Sequence, residues 1–299
     1  MNGSRSSCSS CSNWPLSGFP DEACDSLDQQ IEVIQRAGLR HIDLRGVDGA
    51  NIVDLPLDTA RRYKQRLDEA GLTVNMFGTP IGKIDVTDDI HTDLGRLDHL
   101  ASLADIFDCR QIRIFSYYNK TSMDKAAWRN EAIERLGRLK NRAASLNLVL
   151  FHENEREIFG DLCDDVSAIL DAHHDRKTFK SIFDFDNFNQ GGENVWQCWL
   201  KLRDRTDAFH LKDSDHQGQH VPIGQGAGRA GDIFADALER GFTGPLSLEP
   251  HLAHSPAVMA TGPSGRANQT LKDMTPTEVW LLAAHAARKL LGDLNVPVG

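Results

Sequence analysis

Short apolar runs alternate with longer amphipathic stretches along most of the chain. In the first run, Ile42 and Leu44 lie on one face while His41, Asp43 and Arg45 lie on the other, as in a strand. Runs of strand length cover 41–45, 72–77, 111–115, 147–151, 180–183, 207–209 and 245–248. Between and after them, apolar positions at helical spacing predict helices over 26–37, 57–70, 89–107, 123–145, 161–173, 193–204, 231–240 and 275–291. This regular succession of strand and helix predicts a (β/α)₈ TIM barrel with a parallel sheet.

The N-terminal part of the chain fits this pattern least well. Residues 1–20 are rich in Ser, and we expect a flexible leader there, followed by a single barrel domain over 21–299. A barrel needs a first strand, and we predict a weak or irregular one within 7–16. Near the C-terminus, the loop 251–274 is rich in Gly, Pro, Ser and Ala and follows the last predicted strand. A loop of this length is often functional, and we expect it to act as a lid.

Four apolar runs in the second half of the chain each lead into a potential metal ligand. These ligands are Glu153, Asp184, His210 and Glu249, and in a closed barrel the ends of parallel strands converge on one face. Three carboxylates and an imidazole suit Mn²⁺, Mg²⁺ or Co²⁺, with Zn²⁺ as a further candidate. Asp186 is a rival to Asp184. Any one of these residues alone is more simply explained as a charge at a solvated strand end, but four in consecutive units favour a metal site.

Basic residues near the same strand ends are candidates for contacts with the substrate. Lys212 lies two residues after His210, so strand alternation directs both side chains into one pocket. We expect Lys212 to hold a substrate group or to polarise a carbonyl. Arg45, Lys83 and Arg113 are predicted to bind the substrate, although salt bridges at the barrel mouth explain them about as well.

The glycine-rich run 224–231 follows the seventh predicted strand, a region where barrels often bind phosphate. It matches no P-loop or dinucleotide fingerprint, and a plain turn with Asp232 as helix cap is the simpler interpretation. His152 and His251 flank two of the predicted ligands and are expected to pack away from the barrel axis.

Composition and charge narrow the functional classes. The 299 residues are ample for one large core, and a formal charge of −10 is unfavourable for a nucleic-acid partner. No apolar run approaches the length of a membrane span, and no apolar segment near Met1 indicates a secretory signal. Cys8 and Cys11 form a lone CxxC, which is a poor zinc motif, and the other cysteines are scattered. We therefore expect a cytoplasmic protein with a small-molecule substrate and reduced thiols.

Several short motifs resemble the sugar phosphate isomerase/epimerase family, whose members have the xylose isomerase-like barrel. They are Arg45-Gly-Val-Asp-Gly49, Thr79-Pro-Ile-Gly-Lys83, Ile112-Arg-Ile-Phe-Ser116, His152-Glu-Asn154, Phe183-Asp184 with Asn187-Phe188, His210-Leu-Lys-Asp213, Pro222-Ile-Gly-Gln-Gly226 and Leu248-Glu-Pro-His251. The resemblance covers about residues 26–251 and most of the last helix. It implies that Glu153, Asp184, His210 and Glu249 bind the metal, and homo-oligomers are common in the family.

The resemblance also implies a reaction, namely isomerisation or epimerisation of a polyhydroxylated sugar, sugar phosphate or hydroxy-keto compound through an enediolate. Glu153 and Glu249 would then be both metal ligands and proton carriers, and we expect Asn187 to contact the substrate. Two alternatives remain. One is a metal-dependent lyase or dehydratase acting on a keto-sugar or an inosose. The other, less favoured, is a phosphodiesterase of the apurinic endonuclease type, for which only His41 and His91 offer extra early ligands.

Overall fold

Eight short parallel strands form a nearly closed barrel in the computed structural model, which describes residues 13–296 and 298. The strands are β1 (Leu16–Gly18), β2 (His41–Leu44), β3 (Thr73–Gly78), β4 (Gln111–Ile114), β5 (Val149–Glu153), β6 (Phe179–Asp184), β7 (Ala208–Leu211) and β8 (Leu246–Leu248). Hydrogen bonds connect them in the order β1-β8-β7-β6-β5-β4-β3-β2, and β1 also contacts β2. The predicted (β/α)₈ barrel is confirmed.

Helices follow the strands on the outside of the barrel. They are α1 (Leu27–Arg36), α2 (Leu57–Glu69), α3 (His91–Phe107), α4 (Lys125–Ser145), α5 (Cys163–His173), α6 (Phe185–Gln190), α7 (Val195–Leu202), α8 (Ala230–Glu239), α9 (Pro256–Ala260) and α10 (Pro276–Asp293). Eight of them lie within a few residues of the predicted ranges. The start of α10 is specified locally, because Thr275 and Glu278 form a capping box and Pro276 occupies the first turn.

The first strand lies later than the sequence indicated. It was predicted within 7–16, whereas β1 covers Leu16–Gly18 and pairs with β8, with Leu16 opposite Leu246. The barrel therefore begins inside the segment 1–20 that was assigned to a leader, and residues 1–12, with Cys8 and Cys11, lie outside the described residues. The strand passes close to its neighbours at Gly18. A Cβ atom there would lie 2.7 Å from the Cβ of Leu248 and 2.8 Å from the ring of Trp280.

The barrel interior changes from apolar to polar along its axis. Met76, Phe151, Ile182 and Ala208 pack together as one apolar cluster separate from the main core. A buried polar layer includes Asp43, whose carboxylate accepts hydrogen bonds from the hydroxyl of Ser17 at 2.6 Å and the amide of Asn75 at 2.8 Å. Side chains therefore fill the barrel below its mouth. Within the barrel, a ligand-binding site can form only at the mouth, where the strands have their C-terminal ends.

The segment 251–274 is more ordered than a simple loop. It contains α9, and Asn268 donates a hydrogen bond to the main-chain carbonyl of His220 at 3.0 Å. Lys83, which follows β3, donates to the carbonyl of Thr261 at 3.2 Å and so connects this segment to the opposite side of the mouth. Among the described residues, no helix is long and apolar enough to cross a bilayer.

We expect Gly18→Ala to destabilise the protein by about 1–3 kcal/mol, because the added methyl group would overpack the contact between β1, β8 and α10. Gly95→Ala is the matched control, since Gly95 lies in α3 with open space around the position of a Cβ atom. That change should be neutral or stabilise the helix by about 0.5–1 kcal/mol. Urea unfolding of both variants measures the difference. Equal stability of the Gly18 variant and the parent would contradict the position of β1.

Candidate metal centre

The four predicted ligands converge at the mouth of the barrel. Glu153 and Asp184 are the last residues of β5 and β6, His210 lies in β7, and Glu249 directly follows β8. All four side chains are buried, and each offers one ligand atom within 4.8 Å of those of the other three. His210 Nδ1 lies 2.8 Å from Glu153 Oε1 and 2.9 Å from Glu249 Oε2. The barrel thus brings an imidazole and three carboxylates into one group.

Local hydrogen bonds orient Asp184. Its Oδ1 accepts from the main-chain N–H of Asn187 at 2.8 Å and caps α6, which leaves Oδ2 to face the other ligands. The side chain of Asn154 brackets the same residue, accepting from the Asp184 N–H at 2.8 Å and donating to its carbonyl at 3.0 Å. The Asn187 amide donates to the carbonyl of Asn154 at 2.9 Å. The rival Asp186 turns elsewhere, with Oδ2 3.2 Å from Nε2 of His220.

Two arginines hold the other oxygen of Glu249. Nη1 of Arg45 lies 2.5 Å from Glu249 Oε1, and Nη1 of Arg113 lies 3.2 Å from the same atom. Arg113 also lies 3.3 Å from Glu153 Oε2. Because the arginines engage Oε1, the Oε2 atom of Glu249 is the one that faces His210. The side chains that sequence analysis assigned to substrate therefore also fix a predicted metal ligand.

Two acidic residues at this site were missed by the sequence analysis. Asp21 and Glu22 lie in the short 3₁₀ helix that follows β1. Asp21 accepts two hydrogen bonds from Arg45, at 2.7 and 2.9 Å, and Glu22 lies 3.4 Å from the same guanidinium. Paired geometry of this kind fixes the plane of an arginine. The first strand therefore supplies the residues that position Arg45 against Glu249.

Lys212 lies beside Asp184 and the second oxygen of Glu249. It is buried, and its Nζ lies 3.1 Å from Asp184 Oδ2 and 3.9 Å from Glu249 Oε2. Burial lowers the pKa of Lys212, but Asp184 and Glu249 outweigh it and hold the pKa well above its ordinary value. The amine therefore stays protonated, which makes it an electrostatic partner for substrate oxygens and not a base.

The glycine-rich run 224–231 supports the residue next to Lys212. The carboxylate of Asp213 accepts hydrogen bonds at 3.0 Å from each of the main-chain N–H groups of Gly224, Gly226 and Gly228. A Cβ atom at position 226 would lie 2.3 Å from Asp213 Oδ1, so only glycine fits there. Asp232 does not cap α8 as predicted, because its carboxylate pairs with Arg229 instead and no side-chain cap bond is made.

The histidines outside the cluster have other partners. His152 Nε2 lies 3.0 Å from the Ser116 hydroxyl. The His251 ring packs beside the site, with Nε2 3.4 Å from Glu22 Oε1 and 3.8 Å from Glu249 Oε1. These three residues form a second close group of potential ligands, but the charge of Arg45 already occupies that side.

The early histidines take no part in the cluster. His41 begins β2 and bonds to Thr73 at the start of β3, while His91 is exposed and pairs with Asp89. These two residues therefore do not supply the extra metal ligands on the first strands that a phosphodiesterase of the endonuclease type would need.

The pKa shifts of the buried groups at the barrel mouth reflect an excess of negative charge. Burial raises the pKa of Glu22 to about 8 in spite of Arg45, and burial raises the pKa of Asp184 well above its ordinary value in spite of Lys212. Burial also raises the pKa of Glu249, but Lys212, His210 and Arg113 outweigh it and hold the pKa well below the usual range. Glu153 and Glu249 raise the pKa of His210 to about 10 against the effect of burial. The cluster therefore attracts either protons or a cation.

A divalent cation fits this donor set. Among the described residues, the carboxylates of Asp21, Glu22, Glu153, Asp184 and Glu249 pair with the side chains of Arg45, Arg113 and Lys212, and the imidazoles of His210 and His251 lie against three of them. Binding a metal requires a neutral His210, and with both imidazoles neutral five carboxylates and three cations leave two negative charges, which one divalent ion balances. Among the described residues, Glu153 Oε2, Asp184 Oδ2 and His210 Nε2 are buried without an aligned hydrogen-bond partner. The two oxygens have only ion-pair contacts, with Arg113 at 3.3 Å and Lys212 at 3.1 Å, and a bound cation would satisfy them more fully.

A cavity of about 690 Å³ opens beside the cluster. Arg45, Arg113 and Glu22 form the part of its wall that contacts Glu249, and Lys83 lies further out, paired with Glu155 at 2.9 Å. The four potential metal ligands lie behind this wall. Asn187 does not line the cavity, so its predicted contact with the substrate stays a prediction.

Comparison with known proteins gives a family and a fold. The family model described as xylose isomerase-like TIM barrel matches residues 31–272. No curated protein sequence matches the chain.

Three solved structures resemble the chain throughout. The probable 3-DHS dehydratase AsbF, involved in petrobactin synthesis in Bacillus anthracis, has a TM-score of 0.69 at 17% identity, over 92% of this chain and 98% of that chain. The 3-keto-D-glucoside 4-epimerase YcjR from E. coli has a TM-score of 0.65 at 14% identity, over 93% and 100%. A xylose isomerase-like TIM barrel protein from Mycobacterium smegmatis in complex with magnesium has a TM-score of 0.65 at 18% identity, over 92% and 97%. At these identities the likeness establishes the fold.

We expect Mn²⁺ or Mg²⁺ at about a hundredfold excess over Kd to stabilise the protein by about 2.7 kcal/mol relative to an EDTA-treated sample. Asp184→Asn should lose most of this effect, because it removes a charged oxygen from the cluster. Asp186→Asn is the matched control and should keep it. Calorimetry of each variant with and without metal measures the difference, and affinity should fall as pH falls because protons compete with the ion for Asp184. Loss of the effect in the Asp186 variant alone would contradict the assignment.

Proposed function

We propose that this chain, which belongs to the xylose isomerase-like TIM barrel family, is a divalent-metal-dependent isomerase or epimerase. The reason is that it gathers three carboxylates and an imidazole at the barrel mouth. Its substrate is a sugar or a related hydroxy-keto compound. The observation that carries this proposal is the buried group of Glu153, Asp184, His210 and Glu249, whose ligand atoms lie within 4.8 Å of one another.

The proposed reaction begins with removal of a proton from a carbon next to a carbonyl group. A bound divalent cation supplies a Lewis acid that stabilises negative charge on the substrate oxygens. Glu153, the last residue of β5, and Glu249, directly after β8, move the proton. General acid–base catalysis of this kind contributes about 10²–10⁴-fold. The product forms when the proton returns to a neighbouring carbon or to the opposite face of the same carbon.

Basic side chains complete the proposed site. Arg45 and Arg113 lie on the cavity wall and contact Glu249, so they can bind substrate hydroxyl or carbonyl oxygens while keeping that carboxylate in place. Lys212 keeps its proton, which suits it to polarise the carbonyl. Lys83 lies at the outer part of the wall and would hold a more distant group.

A metal-dependent lyase is the second candidate. One of the similar structures is that of a probable dehydratase. Both reactions share the first proton transfer. The mass of the product distinguishes them, because dehydration loses water. The cytoplasmic location and the formation of homo-oligomers stay predictions.

We expect Glu153→Gln and Glu249→Gln each to lower turnover by at least about a hundredfold, because each removes a proton acceptor. Glu157→Gln is the control, since Glu157 is exposed in the loop that follows β5. The measurement is incorporation of solvent deuterium into carbon when the metal-loaded protein is incubated in D₂O with a panel of ketoses and hydroxy-keto acids. Circular dichroism checks that the variants are folded. Parental exchange rates in both glutamine variants would exclude them as proton carriers.

A further inference from the structure

Two free thiols lie side by side between two of the outer helices. Cys163 is the first residue of α5, and Cys198 lies in the middle of α7, which packs against α5. Both cysteines are buried, and they are close enough for the thiol of Cys198 to donate a hydrogen bond to the sulfur of Cys163. Neither takes part in the candidate metal centre, so the pair needs an explanation of its own.

An open depression of about 400 Å³ on the surface leads to both thiols. Its wall includes Cys163 and Cys198 together with Glu193 and Lys201. Cys163 is 6% exposed and Cys198 is 1% exposed. A reagent as small as a peroxide can therefore enter this depression, and it meets Cys163 first.

The surroundings of Cys163 favour its thiolate, which is the nucleophilic form of cysteine. The hydrogen bond from Cys198 lowers the pKa of Cys163 and outweighs the effect of burial, and the nearby charge of Lys201 lowers it further. Cys163 also begins a helix of 11 residues, and the positive end of a helix stabilises a thiolate. Cys163 is thus set up to react as a nucleophile.

The other two described cysteines lack these features. Burial raises the pKa of Cys24 to about 11 and that of Cys109 to about 12. Their sulfur atoms contact main-chain carbonyls, that of Pro20 at 3.8 Å and that of Asn75 at 3.4 Å. They therefore serve as internal references for an ordinary thiol in the same chain.

Cys198 is placed to react second. Its hydrogen bond to Cys163 and its burial raise the pKa of Cys198, so this thiol keeps its proton while Cys163 reacts. Cys198 Sγ also lies 3.8 Å from Glu193 Oε2, and this carboxylate can accept the proton when Cys198 attacks. The two cysteines therefore have different tasks, one as the attacking thiol and the other as the resolving thiol.

We propose that Cys163 and Cys198 form a peroxide-sensitive modification site, where the two thiols are converted reversibly into a disulfide that joins α5 to α7. The Cys163 thiolate attacks one oxygen of hydrogen peroxide, the O–O bond breaks, and a sulfenic acid forms on Cys163. The hydroxide that leaves becomes water with the proton that Cys163 had lost. The sulfur of Cys198 then attacks the sulfur of Cys163, and a second hydroxide leaves and becomes water with the proton held by Glu193.

The sum of these steps is balanced. Two thiols and one hydrogen peroxide give one disulfide and two waters, so the two sulfur atoms lose two electrons and the two peroxide oxygens gain them. A dithiol reductant returns both cysteines to thiols by exchange through a mixed disulfide. No step uses the metal centre, so the inference is independent of the proposed function.

Treatment of the reduced full-length protein with hydrogen peroxide, followed by denaturation, alkylation and peptide mapping, tests the inference. We expect one linkage, between the peptides that contain Cys163 and Cys198, with a mass loss of about 2 Da and full recovery of both thiols in dithiothreitol. Cys24 and Cys109 should remain free to be alkylated. A linkage through other cysteines instead, or free Cys163 and Cys198 after an exposure that oxidises cysteine in solution, would overturn the inference.

Two serine variants separate the steps. Cys198→Ser keeps a hydroxyl that can donate to Cys163 but removes the resolving sulfur, so dimedone should label Cys163 as its sulfenic acid about tenfold more than in the parent. Cys163→Ser should leave Cys198 unmodified at the same exposure. Cys24→Ser is the matched control and should form the disulfide as the parent does. Circular dichroism checks folding, and the map of the parent depends on none of these variants.

The labelling also tests which cysteine attacks. Dimedone on Cys198 of the Cys163→Ser variant, with Cys163 of the Cys198→Ser variant unlabelled, would contradict the assigned order. Equal labelling of Cys163 in the parent and in the Cys198→Ser variant would show that Cys198 does not resolve the sulfenic acid, and this result would overturn the disulfide.

Discussion

At the mouth of the barrel, five buried carboxylates meet three buried arginine or lysine side chains and two buried imidazoles. Arg45 joins Asp21, Glu22 and Glu249, Arg113 joins Glu153 and Glu249, and Lys212 joins Asp184. Burying charge is expensive unless each group is paired, so this arrangement is stable only when the remaining negative charge is balanced. Burial raises the pKa of Glu22 and of Asp184, so protons can balance this charge, and a divalent cation can balance it with a fixed geometry. The site is therefore best understood as a set of carboxylates shaped for one cation.

The distribution of partners gives the two oxygens of Glu249 different tasks. Oε1 is held by the two arginines, whereas Oε2 faces His210. Because Arg45 and Arg113 also line the cavity, a ligand there meets the same side chains that position Glu249. Binding of a ligand beside these arginines and the geometry of the cluster are thus physically linked.

The sequence predicted most of the barrel and the four clustered side chains because both depend on local patterns. Strands β2 to β8 are apolar runs, and a polar residue at or next to the end of a parallel strand has to face the barrel mouth. Strand β1 lies later than predicted because Ser17 and Gly18 have little strand propensity. The strand is defined instead by its pairing with β8 and its packing on Trp280. Asp21 and Glu22 escaped notice for a related reason, since their partners Arg45 and His251 are distant in sequence. The six-residue helix α6 is too short to show a period.

Anomalous diffraction from crystals grown with Mn²⁺ decides whether the four side chains hold one ion. A single strong peak is expected within bonding distance of Glu153, Asp184, His210 and Glu249. Arg45 and Arg113 should still contact the oxygen of Glu249 that faces away from the ion. A peak elsewhere, or none at this position in crystals that contain bound Mn²⁺, would contradict the claim that these four side chains form one metal centre.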